Sequence, residues 1–328
     1  MPLLQAAHSR TILSSCSGVL LGMFRTRAAL PLRATCSEAC TTVAGHPWDE
    51  RGTVIKGSVQ AWRACFPAAL YATVLFKSLV DYGVEEESHF DCGGWMEQEV
   101  PNVDTDFAHF AGLQELRVHY SHWQYGNPCV TDAALAHLAG IRVLSLQKCT
   151  ALTGAGFRHL GGIHTLDVSG CKGVADSALA HLAGIRVLSL QQCTALTGAG
   201  FRHLGGIHTL NVSGCEGVTD SALVHLRGIH TLDMSYCDGI TDSALVHLRG
   251  INTLRMQQCN GITGATFEHL KGTHTLDMSY CDGITGFGFE HLECIQMLHT
   301  HGCRSLAPAA LERLRSTVAP ELAQTWLR

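Results

Sequence analysis

The dipeptide His-Leu occurs at His137, His159, His181, His203, His225, His247, His269 and His291, and every spacing is 22 residues. Cysteine keeps the same register at Cys149, Cys171, Cys193, Cys215, Cys237, Cys259, Cys281 and Cys303, each 12 residues after its histidine. A period of this length marks small structural units that cannot bury their apolar faces singly and must stack on copies of themselves. Two blocks, 137–158 and 181–202, differ only at Lys148 versus Gln192, so a 44-residue pair was duplicated as a unit.

Within one repeat, Leu144 and Leu146 stand two apart and point to one side of an extended strand, while Val143, Ser145 and Gln147 point to the other. Downstream, Thr219-Asp220 and Thr241-Asp242 open a segment in which Ala222, Leu223 and Leu226 share one helical face. Thr is a good N-cap and Asp suits the positive helix end. Gly228, two residues after Leu226, keeps the helix short. Stacking such units places parallel strands about 4.8 Å apart on the inside and the wider helices outside, which predicts a horseshoe.

The spacing L-x-x-L-x-L-x-x-C at Ile141, Leu144, Leu146 and Cys149 resembles the leucine-rich repeats. Cysteine followed by an apolar residue, Thr and Asp (Cys237, Ile240, Thr241, Asp242) is similar to the cysteine-containing subclass found in F-box substrate adaptors of ubiquitin ligases. The resemblance implies an α/β leucine-rich-repeat solenoid with a parallel inner β-sheet and short outer helices. It also implies a protein ligand. As an alternative role it implies the substrate-recognition subunit of an SCF-type ligase, partnered by a ubiquitin-ligase adaptor. Leu30-Pro31 and residues 59–63 (VQAWR) are similar to the ends of an F-box, whereas TCSEACTTVAGHPWDERGTVIKG between them lacks apolar helical spacing.

The array extends upstream, where VDTDFAHFAGLQELRV from Val103 aligns with TDSALVHLRGIHTLDM and brings the expected strands to nine. Residues 103–303 therefore form the repeats. Residues 304–328 supply a C-terminal capping helix through Leu306, Ala310, Leu311 and Leu314. Residues 1–40 are a basic segment: up to Ser37 they hold Arg10, Arg25, Arg27 and Arg33 and no acid, a pattern also found in organelle transit peptides. Residues 41–102 read as a non-repeat cap and connector. A helix is expected over 58–83, with Leu70, Val74, Leu75 and Leu79 at helical spacing. From Asp81 to Asp106 there are nine acids and no Lys or Arg, as in a solvated connector.

A formal charge of -5 removes the electrostatic argument for a nucleic-acid partner, since phosphate neutralisation needs a basic face. The longest apolar runs, Thr11 to Phe24 and Ala64 to Phe76, fall short of the ~18 residues of a membrane span. Fifteen cysteines are many for this length. Most occupy the repeat column, where they are expected to be buried packing thiols with weak S–H hydrogen bonds to neighbouring backbone. In-register columns suit neither tetrahedral zinc nor disulfides, and unpaired thiols point to a reducing compartment, cytoplasmic or nuclear. His299 and His301 are the one histidine cluster worth testing for metal. Asp, Ser and His recur by duplication, whereas a catalytic site is built once from non-equivalent residues, so the reading is non-enzymatic and without cofactor.

Binding is the better expectation. The outward strand positions form a broad inner surface, with Arg117, His119, Asp167, Asn211, Asp233, Arg255, Asp277, His299 and His301 as candidate contacts. Asp233, Arg255 and Asp277 share one row, which predicts pairing of Arg255 within the sheet. Tyr120, Trp123 and Tyr125 lie in an insertion that breaks the repeat and are the first choice for a partner contact.

Overall fold

The computed structural model describes residues 54–55, 59–75, 103–119 and 130–317. The described residues fall into two compact units: those up to Leu144 except Val130–Asp132, and Val130–Asp132 together with Ser145 onward.

In the first unit, β1 (Val54–Ile55), β2 (Tyr71–Leu75) and β3 (Glu115–His119) run parallel in chain order, with Val54 opposite Thr73 and Val74 opposite Val118. Two strands thus precede the nine anticipated. The helix expected over 58–83 is confined to Val59–Cys65. Leu70 and Val74, read as one helical turn apart, have the same parity as alternate strand positions. Ala72 and Val74 are buried as a strand face requires, and Pro67 separates the two elements. Arg63 donates to the carbonyls of Phe66, Ala69 and Ala111, so the VQAWR segment closes the turn before β2 and caps the first repeat. Leu79 and the acidic run up to Asn102 lie outside the described residues, as do residues 1–53 and 318–328.

Strand β4 (Val143–Leu146) opens in the first unit, where the N–H of Val143 donates to Gln114 O. The second unit carries β5 (Thr165–Asp167), β6 (Val187–Ser189), β7 (Thr209–Asn211), β8 (Thr231–Asp233), β9 (Thr253–Arg255), β10 (Thr275–Asp277) and β11 (Met297–His299). Each pairs in parallel with its sequence neighbour at an offset of one repeat, as in Leu188 opposite Leu210 and Leu210 opposite Leu232. The central leucine of each strand from β5 to β11 is buried, each contributing about 2 kcal/mol of apolar burial. This repeating unit of strand, turn and short outer helix is a leucine-rich-repeat solenoid.

The outer elements are tighter than expected. Among the described residues of the repeats most are 3₁₀ turns such as Ala155–His159 and Phe267–Leu270, and only Asp220–Leu223 and Asp242–Leu245 are α-helical. The 22-residue period leaves too little chain for a longer helix, and 3₁₀ geometry spans more length per residue. Their apolar residues still pack inward: Phe157 and Phe201 are fully buried, and Phe267 stacks on Phe289 with centroids 6.1 Å apart. A helix at Pro308–Thr317 comes after the last repeat and buries Ala310.

Two hydrogen-bond ladders tie neighbouring repeats together. In the first, each column thiol from Cys171 onward donates back to the preceding repeat: Cys171 Sγ to Leu146 O, Cys193 Sγ to Val168 O, and so on to Cys303 Sγ on Met278 O, all at 3.0–3.3 Å, whereas Cys149 Sγ faces Gln147 O of its own repeat at 3.7 Å. In the second, the aspartate that opens an outer turn reaches forward. Asp132 accepts from Thr153 N and Oγ1, Gly154 N and Gly156 N, and Asp176 accepts from Thr197 N and Oγ1, Gly198 N and Gly200 N. Asp220 and Asp242 hold Thr241 and Thr263 in the same way. The expected Thr N-cap is secondary: Thr219 makes no side-chain cap bond, and Thr241 receives Ser243 N at 3.3 Å.

Burial would raise the Asp132 and Asp176 carboxyls, but these donors outweigh it and hold both below the 3.8 of a free aspartate. A folded pKa below the unfolded one stabilises fully above about pH 3.8 and is lost as pH falls through the folded value. The double variant Asp132→Asn/Asp176→Asn should therefore lower the stability measured by urea unfolding at neutral pH, by about 1 kcal/mol per site, and the gap from wild type should narrow as pH falls below the 3.8 of a free aspartate. A gap that stays constant with pH would contradict the ladder.

One repeat breaks its own rule. Thr273 occupies a position held by isoleucine at Ile141, Ile163, Ile185, Ile207, Ile229, Ile251 and Ile295; it is 1% exposed, and its Oγ1 has no hydrogen-bond partner. Removing a buried, unpaired hydroxyl at constant shape stabilises, so Thr273→Val should gain about 1 kcal/mol in urea unfolding.

Candidate interaction surface

The outward residues of the strands in the second unit form three rows. In the middle row, aspartate and asparagine are recruited by their own strand ends. Asp167 Oδ1 accepts from Ser169 N and Oγ, Asn211 Oδ1 from Ser213 N, Asp233 Oδ1 from Ser235 N, and Asp277 Oδ1 from Ser279 N. Gln147 Nε2 donates to Asp167 Oδ2 at 2.6 Å, and Gln257 Nε2 donates to Asp277 Oδ2 at 2.5 Å. Asp277 is consequently only 8% exposed. Asp167 and Asp277 thus have both carboxylate oxygens engaged, whereas Asp233 is held through Oδ1 by its own strand end.

Arg255 is different. It lies in register between Asp233 and Asp277, yet among the described residues it forms no ion pair with either within 4.0 Å, contrary to the pairing expected from the sequence. Both carboxylates are already turned toward serine or glutamine donors, which leaves the exposed guanidinium free to meet a partner. In the first unit, exposed Arg117 binds Glu115 at 2.7 Å. His119 ends β3, and its side chain lies outside the described residues, as do Tyr120, Trp123 and Tyr125. The structure brings His301 against Tyr280, edge to face at 5.3 Å, and leaves His299 half-buried at the last strand.

At the carboxyl ends of the strands runs a ledge that sequence reasoning missed. Its first row is Lys148, Gly170, Gln192, Gly214, Tyr236, Gln258, Tyr280 and Gly302, all with positive φ from 57° to 77°. The geometry arises from hydrogen bonding. Tyr236 N donates to Gln257 O of the next repeat, and Cys237 N must then turn back into the core, which requires a left-handed residue between them. From Lys148 to Tyr236 side chains alternate with glycine, and glycine returns at Gly302 after Gln258 and Tyr280; each of these glycines lies under the side chain before it: a Cβ at Gly170 or Gly214 would stand 3.0 Å from Lys148 Cγ or 3.2 Å from Gln192 Cγ, and one at Gly302 would overlap the Tyr280 ring. Tyr236 and Tyr280 are nonetheless 45% and 48% exposed on this uncommon backbone. Glycine recurring among bulky residues in one column was the available signal.

Histidines before the strands also approach one another, His208 stacking on His230 with centroids 4.5 Å apart. Among the described residues no three His, Cys, Asp or Glu side chains converge to hold a metal ion, and no helix is long and apolar enough to cross a membrane.

No protein-family model matches the chain, and no curated protein matches it significantly. Among solved structures it is similar to the complex of Rad7 and Elc1 in yeast, at 12% identity over 94% of this chain and 96% of that one, with a TM-score of 0.45. It is also similar to an internalin from Listeria monocytogenes, at 11% identity over 86% and 93% of the two chains, with a TM-score of 0.49. A third is the leucine-rich repeat domain of the type III effector XopL, at 16% identity over 49% and 60%, with a TM-score of 0.36. The leucine-rich-repeat fold itself is carried by the chain's own 22-residue period and its parallel strands paired one repeat apart.

Proposed function

We propose that the protein is a non-catalytic interaction scaffold that holds a protein partner against the outward strand face. The observation that carries this reading is a preformed surface: a row of carboxylates fixed by their own serines, with Arg255 unpaired in their midst. Such a face is already ordered, so a partner meets it with little loss of side-chain freedom. The buried thiol column suits a reducing compartment, cytoplasmic or nuclear.

Photo-crosslinkers placed in the native cell at Asn211 and Arg255, and at exposed Ser177 on the outer side, test this. The reading expects adducts to a defined protein from the first two and none from the third. Equal or absent capture at all three positions would overturn it. The ligase-subunit alternative rests on the resemblance of Leu30-Pro31 and VQAWR to the ends of an F-box; Leu30-Pro31 lies outside the described residues, and Arg63 of VQAWR is occupied with capping. Retention of a cullin-linked adaptor by the full chain in a pull-down would favour it.

A further inference from the structure

The segments 230–241 and 274–285 carry the same twelve residues, HTLDMSYCDGIT. Each presents an exposed tyrosine, with an exposed aspartate two residues on, Asp238 or Asp282. The two copies differ in the repeat downstream of each. After the second, Gly302 makes room for the Tyr280 ring. Arg304 comes against Asp282, its backbone N–H donating to Oδ1 at 3.3 Å and its Nη1 standing 3.9 Å from Oδ2. Tyr280, Asp282 and Arg304 line one open cavity of about 230 Å³ with Gln258 and Asn260.

After the first copy the sequence supplies no cation. Asn260 stands where Arg304 stands one pair of repeats later, and among the described residues no Lys, Arg or His lies within ion-pair distance of Asp238. Identical tyrosine and aspartate groups are therefore presented twice, once with an arginine supplied by the chain and once without.

We propose that Tyr236 and Asp238 receive from a protein partner the arginine that Arg304 supplies to Asp282 within the chain. A guanidinium suits this pair because its planar fork matches a carboxylate and its face stacks on an aromatic ring, which an ammonium does less well. Glu216, one repeat earlier in the aspartate row, and the net charge of -5 favour a basic segment. The inference rests on the interaction reading and names the chemistry of one contact within it.

The test is fluorescence anisotropy of the full chain with short labelled peptides in which glycine alternates with arginine, lysine or glutamate. Arginine should bind more tightly than lysine, and glutamate not at all. Tyr236→Gly and Asp238→Asn should each weaken the arginine peptide about three- to fivefold. Glycine already occupies the Tyr236 column at Gly170, Gly214 and Gly302, so this variant keeps the backbone its repeat needs. Arg304→Ala should uncover the second copy and raise the number of arginine-peptide sites from one to two. Equal binding of arginine and lysine, indifference to both ledge substitutions, or unchanged stoichiometry in Arg304→Ala would overturn the inference. If the arginine peptide fails while crosslinkers at Asn211 and Arg255 still capture a protein, the ledge assignment falls and the scaffold reading stands.

Discussion

In the folded protein a thiol reagent should modify Cys294 rapidly and leave Cys193, Cys215, Cys259 and Cys281 essentially unmodified until denaturant is added. Cys294 is exposed, whereas those four are fully buried with each Sγ donating to a carbonyl of the preceding repeat. Burial pushes the Cys215 and Cys259 thiols up to about 11, and those of Cys193 and Cys281 up to about 12, from 9.0. Because the thiolate is the nucleophile, a thiol at about 11 presents about 100-fold less of it at neutral pH than one at 9.0, a loss only partly offset by its greater basicity, and exclusion of the reagent slows the reaction further. Peptide mapping after timed alkylation gives the rate at each position. Similar rates at Cys294 and Cys215 in native buffer would show that the stacked core is not formed as described.

The second large effect is a contrast between two glycines of one repeat. Gly198 and Gly206 both have positive φ, 88° and 80°, so alanine at either position costs about 1 kcal/mol through the backbone. They differ in what a new methyl meets. At Gly206 nothing lies within 4 Å, whereas at Gly198 the methyl would overlap the Cβ of Ala222 in the next repeat. That position is also where Asp176 receives the backbone N–H, so a shift that relieves the overlap also strains the ladder. Gly198→Ala should lower stability by about 2–4 kcal/mol and Gly206→Ala by about 1 kcal/mol, read as urea midpoints. Equal losses would mean that repeats are spaced more loosely at the outer turns than the structure has them.

Most of the framework is legible from the period, because a column of leucine two residues apart and a column of cysteine leave little choice about which side faces inward. The extra strand at Tyr71–Leu75 was not legible, since a spacing of four serves helix and strand alike and no flanking repeat disclosed the register. The interaction surface was read only in part. Residue types on the face come from alternation, but whether Arg255 pairs with Asp233 depends on which donors those carboxylates have already met, and those donors come from the serine two residues on. The ledge depends on backbone handedness, which the pattern hints at only where glycine happens to occupy the column.

The forward aspartate ladder has a further consequence for how such an array can change in length. Along the outer turns the column reads Asp132, Gly154, Asp176, Gly198, Asp220, Asp242, Gly264 and Gly286, and the carboxylates meet Thr153, Thr197, Thr241 and Thr263. Over the first four positions, units with a carboxylate and units without one alternate strictly. Excising or inserting a single unit there would set two like partners side by side, whereas gain or loss of two restores every junction unchanged. A two-unit step in this stretch therefore keeps every seam as it is, while the Asp220–Asp242 junction, where Asp220 still holds Thr241, is the form that a one-unit step between carboxylate-bearing units would take.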